Sequence, residues 1–150
     1  MTAVEIVSSI YRAFGEGDVA TILGHLDEHV SWDADWADHS AHRAGVPHFA
    51  PRHGHDGVAE FFALVGKGTM HDFVIHDLMS SDRQVVVQVT IEWTVPSGGR
   101  LRDEELHLWT FGEDGRVVRF RHYVDTAKHI AAVRGEDTLA GEISGARRAG

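Results

Sequence analysis

Residues 115–125 read G-R-V-V-R-F-R-H-Y-V-D, and this alternation predicts the last strand of a β-sheet. Because successive side chains of a strand point to opposite faces, one face of this strand is apolar except for a single histidine. That face carries Val118, Phe120, His122 and Val124, and the other face carries Arg119, Arg121, Tyr123 and Asp125. An ionisable ring among apolar side chains is a candidate functional group, and it can equally be a core histidine with one satisfied hydrogen bond.

The sequence before this strand divides into helices followed by strands. Apolar residues at helical spacing predict a helix over residues 3–14, a second helix capped by Asp18, and a third over residues 58–65. Residues 33–55 are an irregular stretch, and residues 126–133 form a short closing helix. The predicted strands cover residues 30–32, 71–79, 83–95, 100–111 and 116–124. Since short turns join the later strands, we expect an α+β fold with about three helices packed on the concave face of a curved antiparallel sheet.

Length and charge restrict the classes of function. The 150 residues suffice for one domain, which we expect over residues 1–133, followed by a flexible polar tail over residues 134–150. The net charge of −9 argues against a nucleic-acid partner, and no apolar run reaches the ~20 residues of a membrane span. No secretion signal is recognisable, so a cytoplasmic location is the default expectation. Because the sequence has no cysteine, disulfides and cysteine nucleophiles are excluded.

The predicted strand over residues 84–95 has one apolar and one polar face. The apolar face carries Val85, Val87, Val89, Ile91 and Trp93, whereas Gln88 and Thr90 lie on the polar face. In one interpretation, the apolar face packs on the helices and the polar face meets water. In the other, the polar face lines a wet pocket and the apolar face joins two subunits. The alternation leaves both interpretations open.

Four motifs resemble one superfamily. They are Y-R-A-F-G-E-G-D-V from Tyr11, H-V-S-W-D from His29, G-H-D-G-V-A-E-F-F from Gly54, and L-W-T-F-G-E-D-G-R-V-V-R-F-R-H-Y-V-D from Leu108. Together they resemble the nuclear-transport-factor-2-like (NTF2-like) superfamily, and within it the SnoaL-like polyketide cyclase and ketosteroid isomerase group. The resemblance implies a cone-shaped fold, a deep apolar pocket between sheet and helices, and commonly a homodimer joined through sheet faces. It favours the interpretation in which the 84–95 strand meets a second subunit.

The same resemblance implies candidate catalytic residues. His122 falls where limonene epoxide hydrolases keep a catalytic aspartate, and His107 falls near the oxyanion-stabilising aspartate of the isomerases. Asp33 and Asp35 flank the position of the isomerases' base, and Tyr11 lies one residue from their helix-one tyrosine. Asp125 is a possible counterpart of the late aspartate of the cyclases.

The resemblance places Phe120, Gln88 and Thr90 at the pocket, and the rings of Trp32 and Trp36 would supply flat apolar walls for a ring system. The expected ligand-lining residues are Trp32, Trp36, Phe62, Gln88, Thr90, Phe120 and Val124. Gln88 and Thr90 stand where the epoxide hydrolases place an arginine and an aspartate, so epoxide hydrolysis by that mechanism is disfavoured.

These residues are typical of general acid–base catalysis without a cofactor. The expected substrate is a small, largely apolar, carbonyl-bearing ring compound. Neutral His122 could be the base, with Asp33 or Asp35 orienting it or acting as base instead, and a protonated His107 or Tyr11 could be the donor to the developing enolate. The alternative is a non-catalytic module of the same fold that binds a small molecule or a protein. The loop histidines, His39, His42, His48, His53 and His55, do not form a recognised metal signature, so we expect no metal.

Overall fold

The structure of the protein is a computed structural model that describes residues 1–139. Its helices are α1 (Ala3–Gly15), α2 (Val19–Gly24), α3 (Ser40–Arg43), α4 (Gly54–Val65) and α5 (Thr126–Val133), with a 3₁₀ turn at Ala34–Trp36. Its strands are β1 (Leu26–Trp32), β2 (Arg52–His53), β3 (Thr69–Ser80), β4 (Gln84–Thr94), β5 (Arg100–Phe111) and β6 (Val117–Tyr123). The predicted α+β class is confirmed, with a curved, unclosed sheet of six strands.

The N-terminal helices begin at side-chain caps. The hydroxyl of Thr2 accepts a hydrogen bond from the backbone N–H of Glu5 at 3.2 Å, and the Glu5 carboxylate accepts one from the N–H of Thr2. Asp18 caps α2 by accepting from the N–H of Thr21 at 3.1 Å. These caps set the start of each helix, so that Val7, Ile10 and Ile22 are buried against the sheet.

The strands lie in the order β2-β1-β6-β5-β4-β3. The neighbours that follow one another along the chain pair antiparallel, as expected from their short turns. β1 instead pairs parallel with β6, because most of the chain separates these two strands and no hairpin constrains their direction. This pairing places the end of β1 beside the middle of β6, with Trp32 opposite Phe120.

Burial shows which of the two faces of β4 packs inside the domain. Val85, Val87 and Val89 are completely buried in the core of a single chain, and Gln88 is exposed on the other side of the sheet. The expectation that the apolar face of β4 joins two subunits is therefore wrong, because the helices already cover that face. A homodimer as such stays a prediction.

Residues 134–139 and the long 33–55 stretch make defined contacts with the rest of the domain. Within residues 134–139, which were expected in the tail, the carbonyl of Glu136 accepts from the N–H of Arg100, and Leu139 is buried. The rest of the predicted tail, residues 140–150, lies outside the described residues. The 33–55 stretch contains α3 and β2, and Val46 and Phe49 form a second apolar cluster with Trp36.

Membrane crossing by a helix finds no support in residues 1–139, where each helix is too short or too polar for it.

Candidate functional site

A cavity lies between the concave face of the sheet and helices α1 and α4. The cavity volume open to water is about 80 Å³, several times the ~10–15 Å³ that one water needs. Its walls are mainly aromatic and include Phe14, Trp32, Phe61, Phe62, Trp109 and Phe120. The polar side chains among its lining residues are Tyr11, His48, Glu105, His107 and His122. An apolar cavity with a few polar groups is the usual form of a small-molecule site.

His122 and Asp33 form a buried pair at this cavity. β6 turns His122 inward, and the chain leaves β1 at Asp33 in a left-handed conformation (φ 50°) that aspartate tolerates better than most residues. Asp33 is completely buried. Its Oδ1 accepts from the backbone N–H of His122 at 2.8 Å, and its Oδ2 lies 2.7 Å from Nδ1 of the ring.

This geometry assigns the tautomer of His122. A carboxylate only accepts hydrogen bonds, so Nδ1 carries the proton that Asp33 receives. In the neutral ring the lone pair is then on Nε2, which has no hydrogen-bond partner within residues 1–139. The arrangement leaves a basic nitrogen on a ring that lines the cavity.

Tyr11 and His107 are bound to each other. The Tyr11 hydroxyl lies 2.6 Å from Nδ1 of His107 and accepts from Nε1 of Trp109 at 3.1 Å, so the hydroxyl proton points to His107. Nε2 of His107 then donates to Oε1 of Glu105 at 2.9 Å. Burial raises the pKa of Tyr11 and lowers the pKa of His107, so both groups are neutral at pH 7. The two expected donors are therefore already engaged with protein acceptors.

His48 and His129 form a hydrogen-bonded pair of histidines next to Glu105. Nε2 of His129 is 2.8 Å from Oδ2 of Asp103 and 3.1 Å from Oε2 of Glu105, and its Nδ1 is 3.0 Å from Nε2 of His48. Burial opposes a charge on His129, but the hydrogen bonds to Asp103 and Glu105 raise its pKa to about 9. Burial, aided by the His129 charge, holds the pKa of His48 well below its usual value.

Glu105 is the anionic centre of this cluster. Burial would raise the pKa of Glu105, but hydrogen bonds from His107 and His129 hold it well below its ordinary value. Burial raises the pKa of Asp103 to about 6. Asp103, Glu105 and His129 were not among the residues predicted from the sequence, although strand parity in β5 puts Asp103, Glu105 and His107 on the same inward face as Leu101 and Trp109.

Six of the expected site residues line the cavity, and a seventh, Asp33, supports one of them. The six are Tyr11, Trp32, Phe62, His107, Phe120 and His122.

The other expected residues lie elsewhere. Asp35 forms ion pairs with Arg119 and Arg121 outside the cavity, and Asp125 occupies the N-cap position of α5. Trp36 and Val124 belong to the second apolar cluster. The expected pocket position of Gln88 and Thr90 is corrected as well, because the polar face of β4 points away from the helices and Thr90 bonds to His76 at 2.7 Å.

Two groups of side chains could hold a metal ion among residues 1–139. They are Glu105 with His107 and His122, and Asp103 with Glu105 and His129, each with ligand atoms within 4.8 Å of one another. In the first group an ion would replace the hydrogen bond between His107 and Glu105. In the second it would compete with the proton that His129 shares with two carboxylates. Metal binding at either group therefore requires the release of a proton.

The sequence matches a protein-family model, and the fold is similar to solved structures. The model of the SnoaL-like domain family matches residues 7–120. An NTF2-like protein of unknown function from Burkholderia pseudomallei K96243 is 25% identical, with a TM-score of 0.70 over 89% of this chain and 98% of its own. No curated protein matches the chain.

Two further solved structures share the fold at lower identity. TerC, crystallised with polyporic acid, is 22% identical, with a TM-score of 0.68 over 88% of this chain and 98% of its own. A protein from Xanthomonas campestris pv. campestris, provisionally named a polyketide cyclase, is 18% identical, with a TM-score of 0.65 over 87% of this chain and 96% of its own. The family match and the shared architecture agree, and the chain belongs to the SnoaL-like domain family of the NTF2-like superfamily.

Proposed function

We propose that this protein is a cofactor-independent enzyme of the isomerase or cyclase type. It acts by general acid–base catalysis on a small carbonyl-bearing ring compound that binds in the aromatic cavity. The observation that carries the proposal is the pair of His122 and Asp33, in which a 2.7 Å hydrogen bond at Nδ1 leaves Nε2 unbonded on a cavity-lining ring.

His122 is the base in this proposal. Its Nε2 takes a proton from a C–H group next to the substrate carbonyl, which gives an enolate and an imidazolium. Asp33 lies against the imidazolium with a fully buried carboxylate, so it stabilises the charge and keeps the ring oriented. The aromatic walls exclude water and hold a flat ring by stacking.

The polar groups of the cavity support a substrate with acceptor oxygens. Three rings that line it have a buried nitrogen without a partner in residues 1–139: the indole N–H (Nε1) of Trp32 and of Trp93, and Nδ1 of His48. An unsatisfied buried donor costs about 1–3 kcal/mol, so a ligand that brings carbonyl or hydroxyl oxygens to these donors gains affinity. A purely hydrocarbon ligand would leave them unsatisfied.

The proposal is tested by proton exchange on a simple ketone. The probe is 2-tetralone in deuterium oxide, and NMR measures the loss of its α-proton signal. The wild-type protein should accelerate exchange above the buffer rate, and His122→Ala should lower the protein-catalysed rate at least about 100-fold. His29→Ala is the control, because that side chain is exposed at the surface. Equal rates for wild type and His122→Ala would contradict the proposal.

One observation favours a second candidate, a non-catalytic small-molecule carrier. Tyr11 and His107, the expected donors to an enolate, are already hydrogen-bonded to each other and to Glu105. A carrier would bind ligands such as polyporic acid, the molecule crystallised with TerC, with similar affinity in wild type and His122→Ala, and it would not accelerate exchange. Calorimetric titration beside the exchange assay separates the two functions.

A further inference from the structure

His48 is a buried histidine that the mechanism above leaves unused. It lies in the loop between α3 and β2, is 3% exposed, and its ring lines the cavity. The Phe49 ring contacts both His48, at 4.4 Å between centroids, and His122, at 5.3 Å. The two imidazoles therefore share one aromatic neighbour at the same cavity.

The hydrogen bonds of His129 assign the tautomer of His48. Nε2 of His129 faces two carboxylates, Asp103 and Glu105, so this nitrogen carries a proton. The same two hydrogen bonds favour the imidazolium form of His129, and its second proton, on Nδ1, then points at Nε2 of His48. Nε2 of His48 is thus the acceptor, and its own proton must be on Nδ1.

That Nδ1–H is the anomaly that needs an explanation. It is buried and has no hydrogen-bond partner in the described part of the chain, although buried N–H groups normally have one. The hydrogen-bond partner of His48 within the protein is the charged ring of His129, and it lies at the other nitrogen, Nε2. The ring lines the cavity, so a ligand oxygen that reaches this nitrogen would supply the missing partner of Nδ1.

We propose that His48 is the proton donor of the cavity and that His129 resupplies it. The proposal rests on the function proposed above. As His122 removes the carbon proton, the Nδ1–H bond of His48 breaks and an O–H bond forms on the substrate oxygen. The Nδ1–H proton of His129 moves to Nε2 of His48, so His48 is neutral again and His129 becomes neutral.

The cycle closes without an added reagent. In an isomerisation, the His122 imidazolium returns its proton to another carbon, and the two transfers on the His48 side reverse. In an aldol-type cyclisation, the deprotonated carbon forms a C–C bond to a second carbonyl of the substrate, whose C=O π bond opens, and the oxygen of that carbonyl takes and keeps the His48 proton. His122 then releases its proton to water, Nδ1 of His48 takes one from water, and the Nε2 proton of His48 returns to Nδ1 of His129. His48 is thus a catalytic residue and His129 a positioning residue.

The tautomer is measured without a substrate. Long-range ¹H–¹⁵N NMR of the histidine rings at pH 7 should show a neutral ring protonated on Nδ1 in addition to that of His122, and its signals should disappear in His48→Gln. A His48 ring that carries its proton on Nε2, or is charged at pH 7, would overturn the donor role and leave the His122 proposal intact.

Catalysis is measured with the 2-tetralone exchange assay. Glutamine can accept from His129 and donate to a ligand but cannot pass a proton on, so His48→Gln should lower the rate about 100-fold. His53→Gln, an exposed histidine of the neighbouring strand β2, is the control and should keep the wild-type rate. A wild-type rate in His48→Gln, while His122→Ala is inactive, would overturn the inference alone. A wild-type rate in His122→Ala, or a wild-type protein no faster than buffer, would count against both proposals.

His129 is tested through the pH profile. The groups that face it are Asp103 and Glu105 from β5 and His48 from the loop. The wild-type exchange rate should fall as the pH rises above about 9, where His129 loses the proton that it points at His48. His129→Gln should be slower and should lack this alkaline fall. An unchanged alkaline fall in the variant would contradict the relay.

Discussion

Oδ2 of Asp33 lies 2.7 Å from Nδ1 of His122, although the two residues are 89 positions apart in the chain. The contact arises because the parallel pairing of β1 and β6 brings the end of β1 beside the inward-facing residues of β6. The left-handed turn at Asp33 then aims its carboxylate at both the backbone and the ring of His122.

Replacing the carboxylate should reverse the tautomer of His122. In Asp33→Asn an amide N–H can face Nδ1, which moves the ring proton to Nε2 and removes the lone pair from the cavity. We expect the exchange rate to fall about 100-fold and the free energy of unfolding to fall by about 1–3 kcal/mol. Asp35→Asn is the control: its carboxylate is in ion pairs outside the cavity and should cost less than about 1 kcal/mol. Full activity in Asp33→Asn would contradict the assigned base.

The charge on His129 should make the free energy of unfolding depend on pH in the alkaline range. Hydrogen bonds to Asp103 and Glu105 raise its folded pKa to about 9, above the ordinary 6.5. This contribution to stability is therefore fully present below pH 6.5 and is lost as the pH rises through about 9. Asp103, whose pKa burial raises to about 6, titrates below this window.

The measurement is urea unfolding of wild type and His129→Gln across that window. Wild type should lose more unfolding free energy than the variant between neutral and alkaline pH. Parallel pH dependences for the two proteins would show that His129 is not charged in the folded state.

Gly99 should be irreplaceable for a steric reason. A Cβ built on it would lie 1.7 Å from the backbone carbonyl oxygen of Ala132, where α5 closes on the turn between β4 and β5. We expect Gly99→Ala to cost several kcal/mol, about the range of a severe core change. Gly15→Ala is the matched control, since its Cβ would meet nothing within 4 Å and alanine favours a helix. Thermal unfolding compares the two variants, and a Gly99→Ala protein as stable as wild type would disprove the close approach.

Val87→Lys should unfold the domain. Val87 is completely buried under the helices, so a charge there has neither water nor a partner and costs more than about 4 kcal/mol. Its exposed neighbour provides the control, because Gln88→Lys should change stability by less than about 0.5 kcal/mol. Urea unfolding measures both, and a stable Val87→Lys protein with altered sedimentation would restore that face as a subunit contact.

Periodic segments of the sequence predicted their structure well. The bounds of β5 and α5 agree with the prediction, because long alternation and helical spacing are local signals. The inward position of His122 followed from strand parity alone. The short α3 and the two-residue β2 were missed, since so few residues carry no period. β1 begins at Leu26, four residues earlier than predicted, because the intervening Asp27, Glu28 and His29 are polar and exposed or partly exposed.

The candidate site was harder to predict than the fold. The hydrogen bonds between Asp33 and His122 and between His48 and His129 join residues 89 and 81 positions apart, and no local pattern reports such pairs. Face assignments failed where strand alternation allows two answers, as for Gln88 and Thr90. The inward acidic residues of β5, in contrast, were readable from parity alone.

The tryptophans give the cavity a natural optical signal. Trp32, Trp93 and Trp109 line it, whereas Trp36 stacks on His39 at 3.9 Å in the separate apolar cluster. An aromatic ligand that enters should change the emission of the first three indoles and leave the fourth as an internal reference. Occupancy can then be followed by fluorescence on the unlabelled protein, so a compound collection can be screened before any reaction is known.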